Sequence, residues 1–245
     1  MANPVGKCVI CGSSPTVKAH LFPRALMLDI RADAKHLVSG SLRRVGVRHR
    51  QNGEWDDRLL CDFHEKTIGS ADDYGVRFCR TWRELASESF EGRAVQVPNP
   101  EPNELVRFAY AVTWRHAVCE EGRAVGPKLG PYERMILERL LGDGPYDLQL
   151  LVGVNPLTLQ GKSFSACIPP FRNRFQSYSV LQFTISGLDF YLKTDQRDFP
   201  DSWIPFLAND NDPVVLGRVD ERDALKVPKL LPLFRQMKKK MRAPD

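Results

Sequence analysis

The sequence predicts an α+β protein in two parts, a small metal-stabilised module over residues 1–95 and an α+β domain with an antiparallel sheet over 103–245. Three observations predict it. Two short Cys/His pairs, Cys8-Val-Ile-Cys11 and Cys61-Asp-Phe-His64, bracket the first part. A Pro-rich run, Val97-Pro-Asn-Pro-Glu-Pro-Asn103, then breaks all periodicity, because Pro can continue neither a helix nor a central strand. Beyond it, helical spacing gives way to alternating, strand-like runs.

Cys8-Val-Ile-Cys11-Gly12 has the composition of a zinc knuckle, whose tight turn directs both sulfurs at one ion. Leu59-Leu60-Cys61-Asp62-Phe63-His64 supplies a C-x2-H pair. Cys8, Cys11, Cys61 and His64 together make a Cys3His set suited to tetrahedral Zn²⁺, and each pair has β-like Val-Ile or Leu-Leu residues beside it. Cys79 is an alternative fourth ligand, but its helical stripe with Trp82, Ala86 and Phe90 reads as buried. Cys119 and Cys167 read as core. Between the pairs, Arg43, Arg44, Arg48, His49 and Arg50 form a basic cluster that reads either as phosphate contact or as a solvated loop. Ser70-Ala-Asp-Asp73 reads as a capping box opening a helix through Phe78, Trp82 and Leu85, with metal binding by its acids as the alternative.

In the second part, Leu105, Phe108, Ala109, Val112, His116 and Cys119 share one helical face, with Asn103 as N-cap. Pro131 to Leu141 fits a short helix ended by Gly142. Leu148, Leu150, Val152 and Val154 alternate, as do Val180 to Ile185 and Leu188 to Leu192. Ser186-Gly187 between the last two reads as a hairpin turn. Leu230, Phe234, Met237 and Met241 form a final helical stripe opposite Lys238, Lys239 and Lys240, a basic face read as solvated or as a nucleic-acid contact.

Between the two Cys/His pairs stands Lys18-Ala-His20-Leu-Phe-Pro23-Arg24. The order C-x2-C, then His-apolar-apolar-Pro, then Leu-Cys-x2-ligand resembles the HNH endonuclease superfamily, the ββα-metal fold on a treble-clef zinc module. More narrowly it is similar to phage and bacterial proteins in which Lys-Ala-His-hydrophobic-x-Pro-Arg precedes Trp-Asp-Asp-x-Leu-Leu-Cys and an Asp-Asp-Tyr. The resemblance covers about residues 5–80. It implies that His20 is the general base activating water against a phosphodiester, since a neutral imidazole accepts a proton at pH 7. It implies a Mg²⁺ or Mn²⁺ on the departing oxygen, where the metal stabilises developing charge. The acid that usually precedes the histidine is Ala19 here, and Glu65 stands where Asn or His is usual. The metal is therefore assigned to Glu65 with Asp57, Asp72 or Asp73, and phosphate contact to Arg24 with the 43–50 cluster. His64 stands where a Cys is commoner.

Charge placement agrees with a polyanion partner. Residues 1–100 carry 15 Lys+Arg against 12 Asp+Glu, 101–220 carry 12 against 15, and 221–245 carry 8 against 3. At 42% hydrophobic and 27% charged residues, the composition excludes wholesale disorder and disulfide-dense mini-proteins. No stretch approaches the roughly 20 apolar residues that cross a bilayer. The first residues lack a secretory apolar run, so a cytoplasmic chain with reduced thiols is expected. The second part has no Gly-rich phosphate loop and no G-x-S-x-G. Two functions follow: a metal-dependent endonuclease or nickase acting on DNA, with RNA the other nucleic acid, and a non-catalytic zinc-stabilised protein that binds nucleic acid or another protein.

Overall fold

The computed structural model describes residues 6–31, 37–40, 47–50, 52–142, 146–155, 158–159, 162–163 and 167–218. The expected helix at 230–241 and its lysines lie outside them. Strand β1 (Thr16–His20) leads into helix α1 (Arg24–Arg31), a hairpin of β2 (Leu37–Gly40) and β3 (Val47–Arg50), and strand β4 (Trp55–Cys61). β4 pairs antiparallel with β1, with a register shift between Val17 and Ala19. Helices α2 (Asp62–Gly69) and α3 (Ala71–Leu85) follow at once. Ser70 between them is not a capping box. Its backbone is already helical (φ −60°, ψ −24°), whereas a cap needs extended backbone, and its hydroxyl donates to the Thr67 carbonyl at 2.8 Å.

Strands β5 (Ser87–Ser89) and β6 (Ala94–Val97) precede the Pro-rich run, and helix α4 (Pro102–Val118) follows it. Asn103 lies inside α4 and does not cap it. Glu101 occupies the N-cap without a side-chain bond, and Pro102 opens the helix because its fixed φ suits the first turn. The Pro-rich run itself is tied down. Asn99 is fully buried, accepts from the Tyr74 hydroxyl at 2.8 Å and donates to the carbonyls of Ala208 and Asn211, each at 3.1 Å.

After α5 (Glu120–Val125) and α6 (Tyr132–Leu141) come β7 (Leu150–Val154), the short pair β8 (Thr158–Leu159) and β9 (Lys162–Ser163), β10 (Ile168–Phe175), β11 (Tyr178–Ile185), β12 (Leu188–Lys193) and β13 (Val214–Arg218). Seven strands form one sheet in the order β10-β11-β12-β7-β13-β6-β5. The sheet is mixed rather than antiparallel throughout, because β13 runs parallel to β7 while its other pairs are antiparallel. Ser186 and Gly187 both have positive φ, 54° and 77°, as the tight β11–β12 turn requires. β10 carries Pro169 and Pro170 at a register shift on the sheet edge, where a missing N–H costs least.

One face of the sheet receives α4, which is buried from Leu105 to Val118 apart from Arg107. Phe108 meets the stacked rings of Phe183 and Phe190 edge-on. Helix α3 also packs on α4, at a close approach set by Gly75: any Cβ there would enter the Phe108 ring. The apolar core is continuous from Cys8, Ala19 and Leu26 through Phe108 to Phe190 and Leu216. Core and sheet thus run across the expected boundary at 97–103. A second, smaller cluster (Leu151, Val180, Tyr191, Phe199 and Leu207) covers the opposite sheet face.

Candidate functional site

The knuckle is built by its backbone. Gly12 N–H donates to Cys8 C=O at 2.8 Å and Cys8 N–H to Ser13 C=O at 2.9 Å, a turn that requires the positive φ of Gly12, +73°. Val9 N–H donates to Leu59 C=O at 3.0 Å, which fastens the knuckle to β4. Cys61 ends β4 in extended conformation as the N-cap of α2, and His64 lies one turn on. The four ligand atoms of Cys8, Cys11, Cys61 and His64 lie within 4.8 Å of one another. Cys8 Sγ is 3.6 Å and Cys61 Sγ 3.3 Å from His64 Nδ1, and the sulfurs of Cys11 and Cys61 are 3.8 Å apart. A tetrahedron with zinc-like bond lengths has edges of about 3.5–3.8 Å, so this set could hold a metal such as zinc. A disulfide, at about 2.05 Å, does not fit these separations, and all six cysteines are free. Hydrogen bonds from the Ser13 hydroxyl and backbone pull the Cys11 thiol down to about 6, which makes its thiolate available at neutral pH. Cys79, Cys119 and Cys167 stand apart from the cluster, with burial raising each thiol, Cys119 to about 11 and Cys167 to about 12.

A second polar cluster joins the end of β1 to the first turns of α2 and α3. His20 is half-buried, and its Nε2 is shielded from solvent with no hydrogen-bond partner among the described residues. Burial, then the charges of Lys18, Arg24 and Arg115, hold its pKa below 6.5, so the imidazole is neutral at pH 7. Glu65, next to His64, accepts from the His20 backbone N–H, and its Oε2 is likewise shielded and unpartnered among the described residues. Burial raises the Glu65 carboxyl above its ordinary value, against the opposing pull of Arg115. Ala19 is fully buried on β1, in the core beneath this cluster.

The other acids fall elsewhere. Asp72 is engaged by Arg115, whose guanidinium donates to both carboxylate oxygens at 2.9 and 2.5 Å and to the Ala111 carbonyl at 3.3 Å. Asp57 is exposed on β4, where its carbonyl accepts from the Thr16 hydroxyl at 2.6 Å. Asp73 is exposed on α3. Among the described residues, Cys8, Cys11, Cys61 and His64 are the one group of three or more His, Cys, Asp or Glu side chains close enough to share an ion. With Asp72 committed to Arg115, Glu65 Oε2 is the acidic oxygen of the second cluster that has no hydrogen-bond partner among the described residues, and a Mg²⁺ held there would keep most of its waters. Arg24 is exposed as the first residue of α1. Arg48 and Arg50 have their backbone in β3; their side chains, like Arg43 and Arg44, lie outside the described residues.

Arg115 was not among the sequence-derived candidates. The available signal was a charged residue inside the apolar run Ala111-Val-Thr-Trp-Arg-His-Ala-Val118, which is buried only with a partner. Its neighbour His116 is neutral for the same leading reason as His20. Burial pushes its pKa down to about 3, and its Nδ1 meets the Val112 carbonyl at 2.8 Å. No helix among the described residues is long and apolar enough to cross a membrane. Neither a protein-family model, nor a curated protein, nor a solved structure matches the chain, so what the site does follows from its own geometry.

Proposed function

We propose that the chain is an HNH-type, metal-dependent nuclease acting on DNA, with structural zinc on Cys8, Cys11, Cys61 and His64. The observation that carries this reading is the pair of shielded, unpartnered atoms His20 Nε2 and Glu65 Oε2 on the β1-β4-α2 unit. The antiparallel pair β1–β4 with α2 directly after β4 supports a ββα-metal reading, with α1 and the β2–β3 hairpin inserted between the two strands, and zinc would hold β4 and α2 to the knuckle. His20, neutral at pH 7, accepts the proton of the attacking water. Glu65 would hold Mg²⁺ or Mn²⁺, and such an ion would supply charge stabilisation for the departing oxygen. Lys18 and Arg24, both exposed, favour an anionic substrate beside the imidazole, whereas the charge of Arg115 is met by Asp72.

The test is nicking of supercoiled plasmid with Mg²⁺ or Mn²⁺, with zinc content read by mass spectrometry. Expected are one zinc per chain, lost in Cys61→Ala, and metal-dependent nicking that falls by at least about 100-fold in His20→Ala and is also lost in Glu65→Gln. A zinc-replete, folded chain that leaves plasmid intact overturns the nuclease reading. A second reading is favoured by the commitment of Asp72 to Arg115, which leaves Glu65 without a companion acid: a non-catalytic zinc-stabilised protein that binds nucleic acid or a protein. It expects binding that survives both substitutions and no cleavage.

A further inference from the structure

We propose that Trp55 is a stacking platform for an unpaired nucleobase, which makes single-stranded polynucleotide the ligand of the candidate site. The inference rests on the nuclease reading only for where the phosphate lies. Trp55 opens β4 directly opposite His20 in the β1–β4 register, so both side chains leave the strand pair on the same face. It is 40% exposed, while Trp82 and Trp114 are buried and Trp203 is partly covered. The Lys18 ammonium lies 4.1 Å from its ring centroid. Lys18 and Arg24 are both exposed, and the charge of each reaches the His20 imidazole.

Around β4's first residue the molecule therefore carries a partly exposed indole with an ammonium over one side of its ring, an exposed guanidinium and a half-buried neutral imidazole. A nucleotide matches this set part for part. Its base has a π face for the indole, and its phosphate has the charge that Lys18 and Arg24 lack in an opposing carboxylate at this face. Neither Lys18 nor Arg24 has a salt bridge among the described residues. In a duplex each base face is covered by its neighbours, so the platform selects a strand whose bases are unstacked.

The test is fluorescence anisotropy with the full chain, without added divalent ions so that strands stay intact. The probes are labelled oligocytidylates of about 12 nucleotides in deoxy and ribo forms, an abasic strand of equal charge, and the corresponding duplex. Trp55→Ala is expected to weaken binding of the base-bearing strands by about 5- to 100-fold, Trp55→Phe to keep most of it, and the abasic strand to bind both variants equally. The two sugars show whether DNA or RNA is the preferred source. Circular dichroism and zinc content serve as the fold control. Unchanged affinity in Trp55→Ala, an equal loss on the abasic strand, or no binding of any single strand by the wild type overturns the proposal. Plasmid nicking that needs His20 while strand binding ignores Trp55 retains the nuclease and removes the platform. Trp55-dependent binding by a chain that never cleaves does the reverse.

Discussion

Arg115 concentrates the residue-scale physics of the molecule. Its side chain is 1% exposed, and its partner Asp72, 16% exposed, comes from a different helix. Taking a guanidinium out of water is tolerable only with a carboxylate and further acceptors in place, which Asp72 and the Ala111 carbonyl supply. Removing one member leaves the other buried and uncompensated. Arg115→Met is therefore expected to cost about 3–5 kcal/mol in urea unfolding, and Arg115→Met with Asp72→Leu to cost less than Arg115→Met alone. Equal losses in the two would show that the ions are not coupled. The gathering of Cys8, Cys11, Cys61 and His64 was readable from the sequence at this scale because two residues at C-x2-C or C-x2-H spacing already define a chelate. Glu65 was readable only by its position after His64, and Arg115 only as a charge inside an apolar run, since its partner lies 43 residues away.

At the scale of elements, local rules held where an element's own chain decides its shape. The β11–β12 hairpin follows from Ser186-Gly187, and α6 from Pro131 and its apolar spacing. They failed where a neighbour decides. Ser70 is helical because α2 runs nearly into α3, and β10 was not read as a strand because its two prolines hide an edge position. The contact of α3 with α4 is the sharpest case, since it depends on the absence of a single Cβ at Gly75. Gly75→Ala should raise helix propensity by up to about 1 kcal/mol, yet overpacking against Phe108 costs about 1–3 kcal/mol. The net expectation is a lower melting temperature; a rise would mean that α3 and α4 can separate freely.

At the scale of the whole molecule, the Pro-rich run was a sound sign of a break in periodicity and a poor sign of independence. Proline stops a helix locally and says nothing about whether the chain on either side shares a core. Here β5 and β6 sit in the same sheet as β7 and β13, and Ala19 and Phe190 belong to one apolar cluster. A fragment ending at Val97 would leave Phe78 and Trp82 of α3 without α4 and the β11–β12 turn, where Trp82 Nε1 and Arg83 both donate to the Ser186 carbonyl. It is expected to lack cooperative thermal unfolding even with zinc supplied, whereas the full chain unfolds in one transition. A cooperative fragment would show that residues 6–97 carry a core of their own.

The pairing of β6 with β13 also imposes an order in time. β6 ends at residue 97, and the strand that covers its edge begins at residue 214. During synthesis Cys8, Cys11, Cys61 and His64 emerge early and can gather while that edge is bare and the inner surface of α3 is wet. Gathering of the Cys/His cluster and closure of the sheet are thus separable events, divided by more than a hundred residues of translation. The interval between them, when an open strand and uncovered apolar side chains coexist, is when a nascent chain of this design is most exposed to misassociation.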